Sequence, residues 1–117
     1  CDRWNMLHPS RKPRQPWVDQ CLGASDAPVV ASTDYIKAVP DQIRPFIRNR
    51  LRVLGTDGYG RSDTREALRD FFEVDRYWVT VAALKAMADE GTVEAKRVTE
   101  AIKKYSIDPE KPNPLTV

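Results

Sequence analysis

Cysteine and histidine are scarce in this sequence of 117 residues, and their scarcity excludes several kinds of site. The two cysteines, Cys1 and Cys21, are too few for a disulfide framework, so we expect reduced thiols in a cytoplasmic protein. The single histidine, His8, does not have metal-ligand spacing with these cysteines, which argues against a zinc site. A histidine-relayed serine or cysteine nucleophile would have to depend on His8 alone.

Long apolar runs and a strong charge imbalance are also missing. No stretch approaches the roughly 20 apolar residues of a membrane-spanning helix, and no signal-peptide pattern opens the sequence. A net charge of +2 gives no electrostatic reason to expect nucleic acid or a membrane as partner. The remaining composition, with 41% hydrophobic and 31% charged residues, is typical of one soluble globular domain.

The two ends of the sequence differ in character. The first residues contain neither an initiator methionine nor a helix cap. Residues 106–117 carry three prolines and predict an extended tail, because proline cannot continue a helix. This contrast suggests that residues 1–117 are the N-terminally incomplete C-terminal part of a longer chain.

Apolar runs and helical patterns alternate along the chain. The run at Pro28–Ser32 predicts a short strand buried on both faces. Leu51–Leu54 predicts a second short buried strand, which Gly55 ends. Five helical segments are predicted from periodicity and caps: Trp17–Leu22, Pro40–Arg44 (interrupted by Pro45), Thr64–Phe72, a long helix between Asp75 and Gly91, and a surface helix capped by Thr92. Such alternation favours a parallel or mixed sheet covered by helices. Two strands do not make a stable sheet, so we expect further strands from sequence upstream of Cys1.

The long helix is the one segment whose local signals conflict. Residues 77–81 are rich in β-branched and aromatic side chains, which favours a strand. No turn separates them from the strongly helical residues 82–88. We therefore predict one continuous helix packed against the sheet.

A glycine loop, Gly55–Gly60, lies between the second strand and the next helix. Phosphate-binding loops occur at such positions, but this spacing is not G-x-G-x-x-G and no Lys-Ser/Thr pair follows. Asp57 would also place a negative charge where a phosphate should approach. The sequence favours a tight turn in which Gly58 and Gly60 adopt backbone angles closed to other residues.

Three aspartates lie near the carboxyl ends of the predicted strands, where α/β proteins usually bind ligands. Asp57 and Asp63 flank the glycine loop, and Asp34 follows the first strand. Helix capping is the favoured role of Asp34 and Asp63, the latter in a capping box with Glu66.

Four segments, taken together, resemble one enzyme family. Arg52–Asp63 closely resembles the homodimeric bacterial type of pyruvate dehydrogenase, the thiamine-diphosphate-dependent decarboxylating component of the pyruvate dehydrogenase complex. Arg3–Pro9, Val30–Tyr35 and Phe72–Asp75 are similar to the same family and occur in the same order. The resemblance covers essentially the whole chain.

The resemblance implies a fold and a reaction. The family is built like transketolase, with two thiamine-binding domains followed by a C-terminal α/β domain. Residues 1–117 would be most of that domain, an incomplete three-layer αβα sandwich whose mixed, mostly parallel sheet has helices on both faces. In the family, the thiazolium carbanion attacks pyruvate, carbon dioxide is lost, and the two-carbon unit passes to a lipoyl group of dihydrolipoyl acetyltransferase.

The resemblance places the catalytic groups outside this chain. Thiamine diphosphate and Mg²⁺ are held in the family by a Gly-Asp-Gly motif followed at a distance by Asn-Asn. The nearest match here is Thr56-Asp57-Gly58, and no Asn-Asn occurs. We therefore predict no catalytic, cofactor-binding or metal-binding residue in this chain.

The role that remains is architectural: packing against the upstream domains and supporting the homodimer. The predicted contact loop is exposed, charged and glycine-rich, and consists of Asp57, Gly58, Tyr59, Gly60, Arg61, Ser62 and Asp63. Two alternatives stay open. One is a subunit-docking module that uses the basic connector Arg11–Arg14 and the proline-rich tail. The other is a stand-alone nucleotide-binding domain that uses residues 55–60.

Overall fold

The computed structural model describes all residues from Cys1 to Val117. The elements are, in chain order, α1 (Asp2–Leu7), α2 (Trp17–Leu22), β1 (Val29–Ser32), α3 (Ala38–Asp41), β2 (Leu51–Leu54), α4 (Arg65–Phe71), α5 (Arg76–Asp89) and α6 (Ala95–Lys104). Short 3₁₀ helices occur at Arg44–Phe46 and Pro114–Thr116. None of the helices has the length and hydropathy needed to cross a bilayer.

The two strands form a parallel pair in which Val29 lies opposite Leu51 and Ser32 opposite Leu54. The predicted α/β class is thus confirmed, and β1 and β2 lie within one residue of the predicted runs. The prediction that the first strand is buried on both faces is wrong for this chain. The first three residues of β1 are only partly buried and Ser32 is exposed, because α5 is the one helix with extensive contacts to β1.

Helix α5 organises the core. The Asp75 carboxylate accepts hydrogen bonds from the N–H groups of Tyr77 and Trp78 at 2.8 and 3.0 Å, which fixes the first turn. The helix then packs on β1, β2 and α6. The prediction of helix for residues 77–81 is confirmed, since the cap and the tertiary packing outweigh a β preference worth about 1 kcal/mol at most. The buried apolar side chains are those of Leu51, Val74, Ala86, Val98 and Ala101.

Three predicted helix boundaries are wrong. Helix α3 begins at Ala38, and Pro45 lies inside a 3₁₀ helix rather than ending a helical turn. Proline is accepted there because the first residues of a helix need no N–H donor. Helix α6 begins after Glu94, while the Thr92 hydroxyl donates to the Met87 carbonyl at 2.9 Å instead of capping α6.

The third correction concerns α4. Its cap is Thr64, whose Oγ1 accepts a hydrogen bond from the Ala67 N–H at 3.3 Å. Asp63 was predicted to fill this position. Its carboxylate instead accepts from the Thr64 N–H at 2.7 Å, one residue before the helix. The threonine hydroxyl takes the cap because it is the residue with extended backbone angles directly before the first helical turn.

Residues after α6 return to the end of α4. The Lys111 ammonium donates to the carbonyls of Asp70 and Phe71, each at 2.9 Å, and lies 3.8 Å from the Glu73 carboxylate. The Asp70 carbonyl also accepts the Glu73 N–H at 3.1 Å, whereas the Phe71 carbonyl has no backbone donor, so Lys111 supplies its partner from 40 residues away.

The chain has little interior for its length. Only 8 of its 117 residues are buried, and no large side chain is fully enclosed. Its radius of gyration is 17.3 Å, whereas a compact domain of similar length has about 13 Å.

Candidate functional site

The loops that follow β1 and β2 are joined to each other at the carboxyl end of the sheet. The Thr56 N–H donates to the Tyr35 carbonyl at 2.9 Å, and the Thr56 hydroxyl donates to the Asp34 carbonyl at 2.6 Å. The Lys37 N–H donates to Asp57 Oδ1 at 3.0 Å. These bonds extend the parallel pairing beyond the last strand residues and hold both loops in one unit.

Gly55 makes this close approach possible. A Cβ atom at this position would lie 2.8 Å from the Tyr35 carbonyl oxygen and 3.0 Å from the Lys37 nitrogen. Both of those atoms belong to the backbone, so they cannot move aside cheaply. Glycine is therefore required at the first residue after β2.

A cleft of about 430 Å³ opens beyond the carboxyl ends of the strands, between these loops and α4. Its apolar floor consists of Leu68, Phe72 and Val74. Its rim includes Tyr59, whose side chain is 93% exposed. The cleft combines a hydrophobic base with a charged border, an arrangement common in binding sites.

Arginines of α4 and of the predicted contact loop dominate the charged border. Arg69 donates to both Asp34 carboxylate oxygens, at 3.3 and 3.0 Å, and this hydrogen bonding holds the pKa of Asp34 below its ordinary value. Arg61 lies over the Phe71 ring, 4.3 Å from its centroid. Arg65 lines the cleft one turn before Arg69.

The predicted role of Asp34 as a helix cap is therefore wrong. Its carboxylate pairs with Arg69, 35 residues away, and lies at no helix terminus. Tertiary pairing with a guanidinium replaces local capping here because α4 packs beside the loop that follows β1.

The residues of the predicted contact loop have different surroundings. Asp57 is half-buried and bound to Lys37, whereas Gly58, Tyr59 and Gly60 are exposed, as are residues 61–63. Gly58 has a φ of +90°, as predicted for a turn glycine. The same prediction for Gly60 is wrong, because its φ is not positive and no atom lies near its missing Cβ.

Sequence reasoning missed several residues that build this site. Arg65 and Arg69 are four residues apart on a predicted helix, and that spacing puts both guanidinium groups on one helix face. The spacing could have identified them. Lys37, which ties the loops, and Leu115, which lies 3.5 Å from the Cβ position of Gly58, have no local signal.

The residues present do not fit the cofactor of the family that the sequence resembles. No group of three or more histidine, cysteine, aspartate or glutamate side chains is arranged to hold a metal ion. The carboxylate of Asp57, the nearest match to the family's Gly-Asp-Gly aspartate, is engaged with Lys37. Nor does the glycine loop lead directly into a helix, since α4 begins only at Arg65.

The fold and the sequence define the class of this chain. Residues 3–75 match the transketolase-like TK C-terminal domain family, and the chain belongs to this family. The matched region contains both strands, the joined loops, the cleft arginines and the Asp75 cap.

Individual relatives are proteins named pyruvate dehydrogenase E1 component. That of Cupriavidus necator is 61% identical over 116 residues, which cover 99% of this chain and 13% of the relative. Those of Pseudomonas aeruginosa and Escherichia coli K12 are 59% and 52% identical, each covering 97% of this chain and 13% of the relative. The resemblance to bacterial pyruvate dehydrogenases is confirmed, and the chain spans 13% of the length of these relatives.

Proposed function

We propose that residues 1–117 form the C-terminal, dimer-supporting part of a cytoplasmic pyruvate dehydrogenase. The complete enzyme decarboxylates pyruvate with thiamine diphosphate and Mg²⁺, then transfers the acetyl unit to a lipoyl group of dihydrolipoyl acetyltransferase. In this proposal the chain contributes no catalytic residue, and upstream domains hold the cofactor. One observation carries the assignment: identity of 61% along 99% of this chain with a protein named pyruvate dehydrogenase E1 component.

The surface of the chain supports an architectural role. A chain with few buried residues and a sheet of two strands leaves much apolar surface in water. Contiguous exposed apolar surface is typical of contacts between proteins or domains. Twelve large hydrophobic side chains are exposed: Met6, Leu7, Trp17, Tyr35, Ile36, Val39, Phe46, Tyr59, Tyr77, Met87, Leu115 and Val117.

Within this surface, the loop Asp57–Asp63 is the proposed domain or dimer contact. A Gly58→Val change in the full-length enzyme tests the loop, because a β-branched residue is strained at a φ of +90°. We expect weaker dimerisation and lower activity than with Gly60→Val, the matched control at an unstrained position. Wild-type dimer affinity and activity in the Gly58→Val enzyme would contradict the role of the loop.

The native size of the protein tests the assignment as a whole. An antibody raised against residues 1–117 is used to probe size-fractionated extract of the cells that make the protein. We expect a band far above 13.3 kDa that travels with a very large assembly and with pyruvate-decarboxylating activity. A band near 13.3 kDa in a small-protein fraction would overturn the proposal.

Docking of another subunit is a second candidate, favoured by the exposed connector between α1 and α2. Asn5 fixes this connector through two hydrogen bonds with the Arg14 backbone, at 2.8 and 3.0 Å, and leaves Arg11 and Lys12 exposed. Reversing both charges in the full-length enzyme should then weaken capture by dihydrolipoyl acetyltransferase. Unchanged capture would exclude the connector as a docking element.

A further inference from the structure

The border of the cleft at the carboxyl end of the sheet has an unbalanced charge. Three arginines and two aspartates line it: Arg61, Arg65, Arg69, Asp34 and Asp63. Arg69 and Asp34 neutralise each other through two hydrogen bonds. The remaining border therefore has a surplus of one positive charge.

The two guanidinium groups outside that pair have no carboxylate partner. Neither Arg61 nor Arg65 forms a salt bridge, although Arg65 lies close enough to Asp34 to help its main partner Arg69 lower the pKa of that carboxyl. Arg61 is oriented by the Phe71 ring at 4.3 Å. Asp63, the one acid left at the border, accepts a hydrogen bond from the Thr64 N–H. One carboxylate from outside would balance the border and could accept paired hydrogen bonds from a guanidinium.

We propose that this cleft receives a segment of the upstream polypeptide that carries an aspartate or glutamate beside an apolar side chain. The carboxylate would bind one of the two guanidinium groups outside that pair, Arg61 or Arg65. The apolar side chain would cover the floor formed by Leu68, Phe72 and Val74. This inference rests on the proposed function, because it requires the chain to be part of a longer enzyme. It names the chemistry that the contact loop recognises.

The lengths of the relatives favour a chain segment over other occupants. The matched relatives are proteins of which this chain spans 13%, so most of the surface that could fill the cleft lies outside residues 1–117. If a second copy approached the cleft across a two-fold axis, the two clefts would face each other, and each carries the same surplus positive charge. Like charges facing each other in a partly desolvated contact are unfavourable.

Photocrosslinking from the rim identifies the occupant. Tyr59, which is 93% exposed at the cleft, is replaced by the photoreactive p-benzoylphenylalanine in the full-length enzyme. After irradiation, mass spectrometry should find a crosslink within one polypeptide, to an upstream peptide that contains Asp or Glu. The same probe at Lys104, exposed on α6, is the control for nonspecific capture and should give a different peptide or none.

Charge variants test the recognition itself. Arg61→Glu with Arg65→Glu should reduce the Tyr59 crosslink about tenfold, the effect of losing one charge-assisted contact. Arg61→Lys with Arg65→Lys should retain most of it. Arg11→Glu with Lys12→Glu, on the connector, should leave it unchanged. Changing the crosslinked acid to lysine in the doubly reversed enzyme should restore the crosslink.

Three results would overturn this inference: a crosslink to another copy of residues 1–117, a crosslink to the acetyltransferase, or no crosslink at all. A Tyr59 crosslink yield that is unchanged in the variant with Arg61→Glu and Arg65→Glu would also overturn it. If the enzyme is dimeric and active on pyruvate, any of these results contradicts only the inference that an upstream segment occupies the cleft. The proposed function is then unaffected. Failure of the proposed function would appear instead as the absence of such an enzyme.

Discussion

Lys37 and Asp57 are joined at two points across the loops that follow the parallel strands. The Lys37 N–H donates to Asp57 Oδ1 at 3.0 Å, and the Lys37 ammonium lies 3.8 Å from Oδ2. The second contact is a half-exposed ion pair, and such pairs contribute little to the free energy of unfolding. The hydrogen bond from the Lys37 N–H satisfies a backbone donor and fixes the position of Asp57 in the glycine loop, so the conformation of the loop depends on this bond.

We expect Asp57→Ala to lower the free energy of unfolding by about 1–2 kcal/mol, because it leaves the Lys37 N–H without its acceptor. Asp57→Asn keeps an acceptor oxygen and loses only the ion pair, so it should cost less than about 0.5 kcal/mol. Urea unfolding followed by tryptophan fluorescence measures both. Equal losses for the two variants would show that the ion pair, not the backbone bond, holds the loops.

A pair of glycine substitutions separates backbone strain from crowding. Gly58 has a φ of +90°, and its Cβ position has only ordinary contacts, the nearest at 3.5 Å. Gly58→Ala should therefore destabilise the chain by about 1–2 kcal/mol through backbone strain alone. Gly60→Ala, with neither a positive φ nor neighbours, should change stability by less than about 0.5 kcal/mol. The urea concentration at the midpoint of unfolding measures both effects. Similar midpoints for Gly58→Ala and Gly60→Ala would contradict the turn geometry.

The contact between Lys111 and the end of α4 should contribute to stability. Lys111→Met removes two hydrogen bonds to the Asp70 and Phe71 carbonyls, and we expect a loss of about 1–3 kcal/mol. Lys12→Met, at an exposed connector position, is the matched control and should have no measurable effect. Hydrogen exchange of α4 amides is a second measurement. Unchanged exchange in the Lys111 variant would mean that the C-terminal residues do not stabilise α4.

Asp19 should make the stability depend on pH under acidic conditions. A hydrogen bond from Gln15 Nε2 at 2.6 Å and one from the Arg48 N–H at 3.0 Å lower the pKa of the Asp19 carboxyl from its ordinary 3.8. A lowered folded-state pKa means that this stabilisation is fully present above pH 3.8 and is lost as the pH falls through the folded value.

The Asp19→Asn variant isolates that effect. It should be less stable than wild type at neutral pH and should lose less stability on acidification below about pH 5. Parallel pH profiles for wild type and Asp19→Asn would show that Asp19 titrates alike in the folded and unfolded chain.

The isolated chain of 117 residues should be only marginally stable, since its sheet has two strands and 8 residues are buried. An osmolyte such as trimethylamine oxide would extend the measurable range for the variants above. Thermal unfolding followed by circular dichroism provides the test. A sharp transition well above about 65 °C would contradict the expectation.

Local signals predicted the elements well where they agreed with the tertiary packing. The apolar run at Leu51–Leu54 and the cap at Asp75 both have the predicted roles. The signals failed at Asp34 and Thr92, whose predicted caps compete with partners elsewhere in the fold. A polar side chain near a helix start has several possible partners, and only the position of the neighbouring segments selects among them.

The cleft could be predicted only in part. Its location beyond the strand ends follows from the α/β pattern, and the loop Asp57–Asp63 was predicted as a surface. The apolar floor and the pairing of Arg69 with Asp34 were not, since the helical spacing of Arg65 and Arg69 shows that they share a face of α4 but not which loop that face contacts.

The sequence by itself determined the alternation of strands and helices, the α/β class and the family. These depend on periodicity, capping and motif order, which are short-range properties of the chain. Only the tertiary structure decided that Asp57 binds Lys37, that Asp34 binds Arg69 and that Lys111 closes the end of α4. Those partners are 20 to 40 residues apart, and contacts at that separation form only when folding places whole elements side by side.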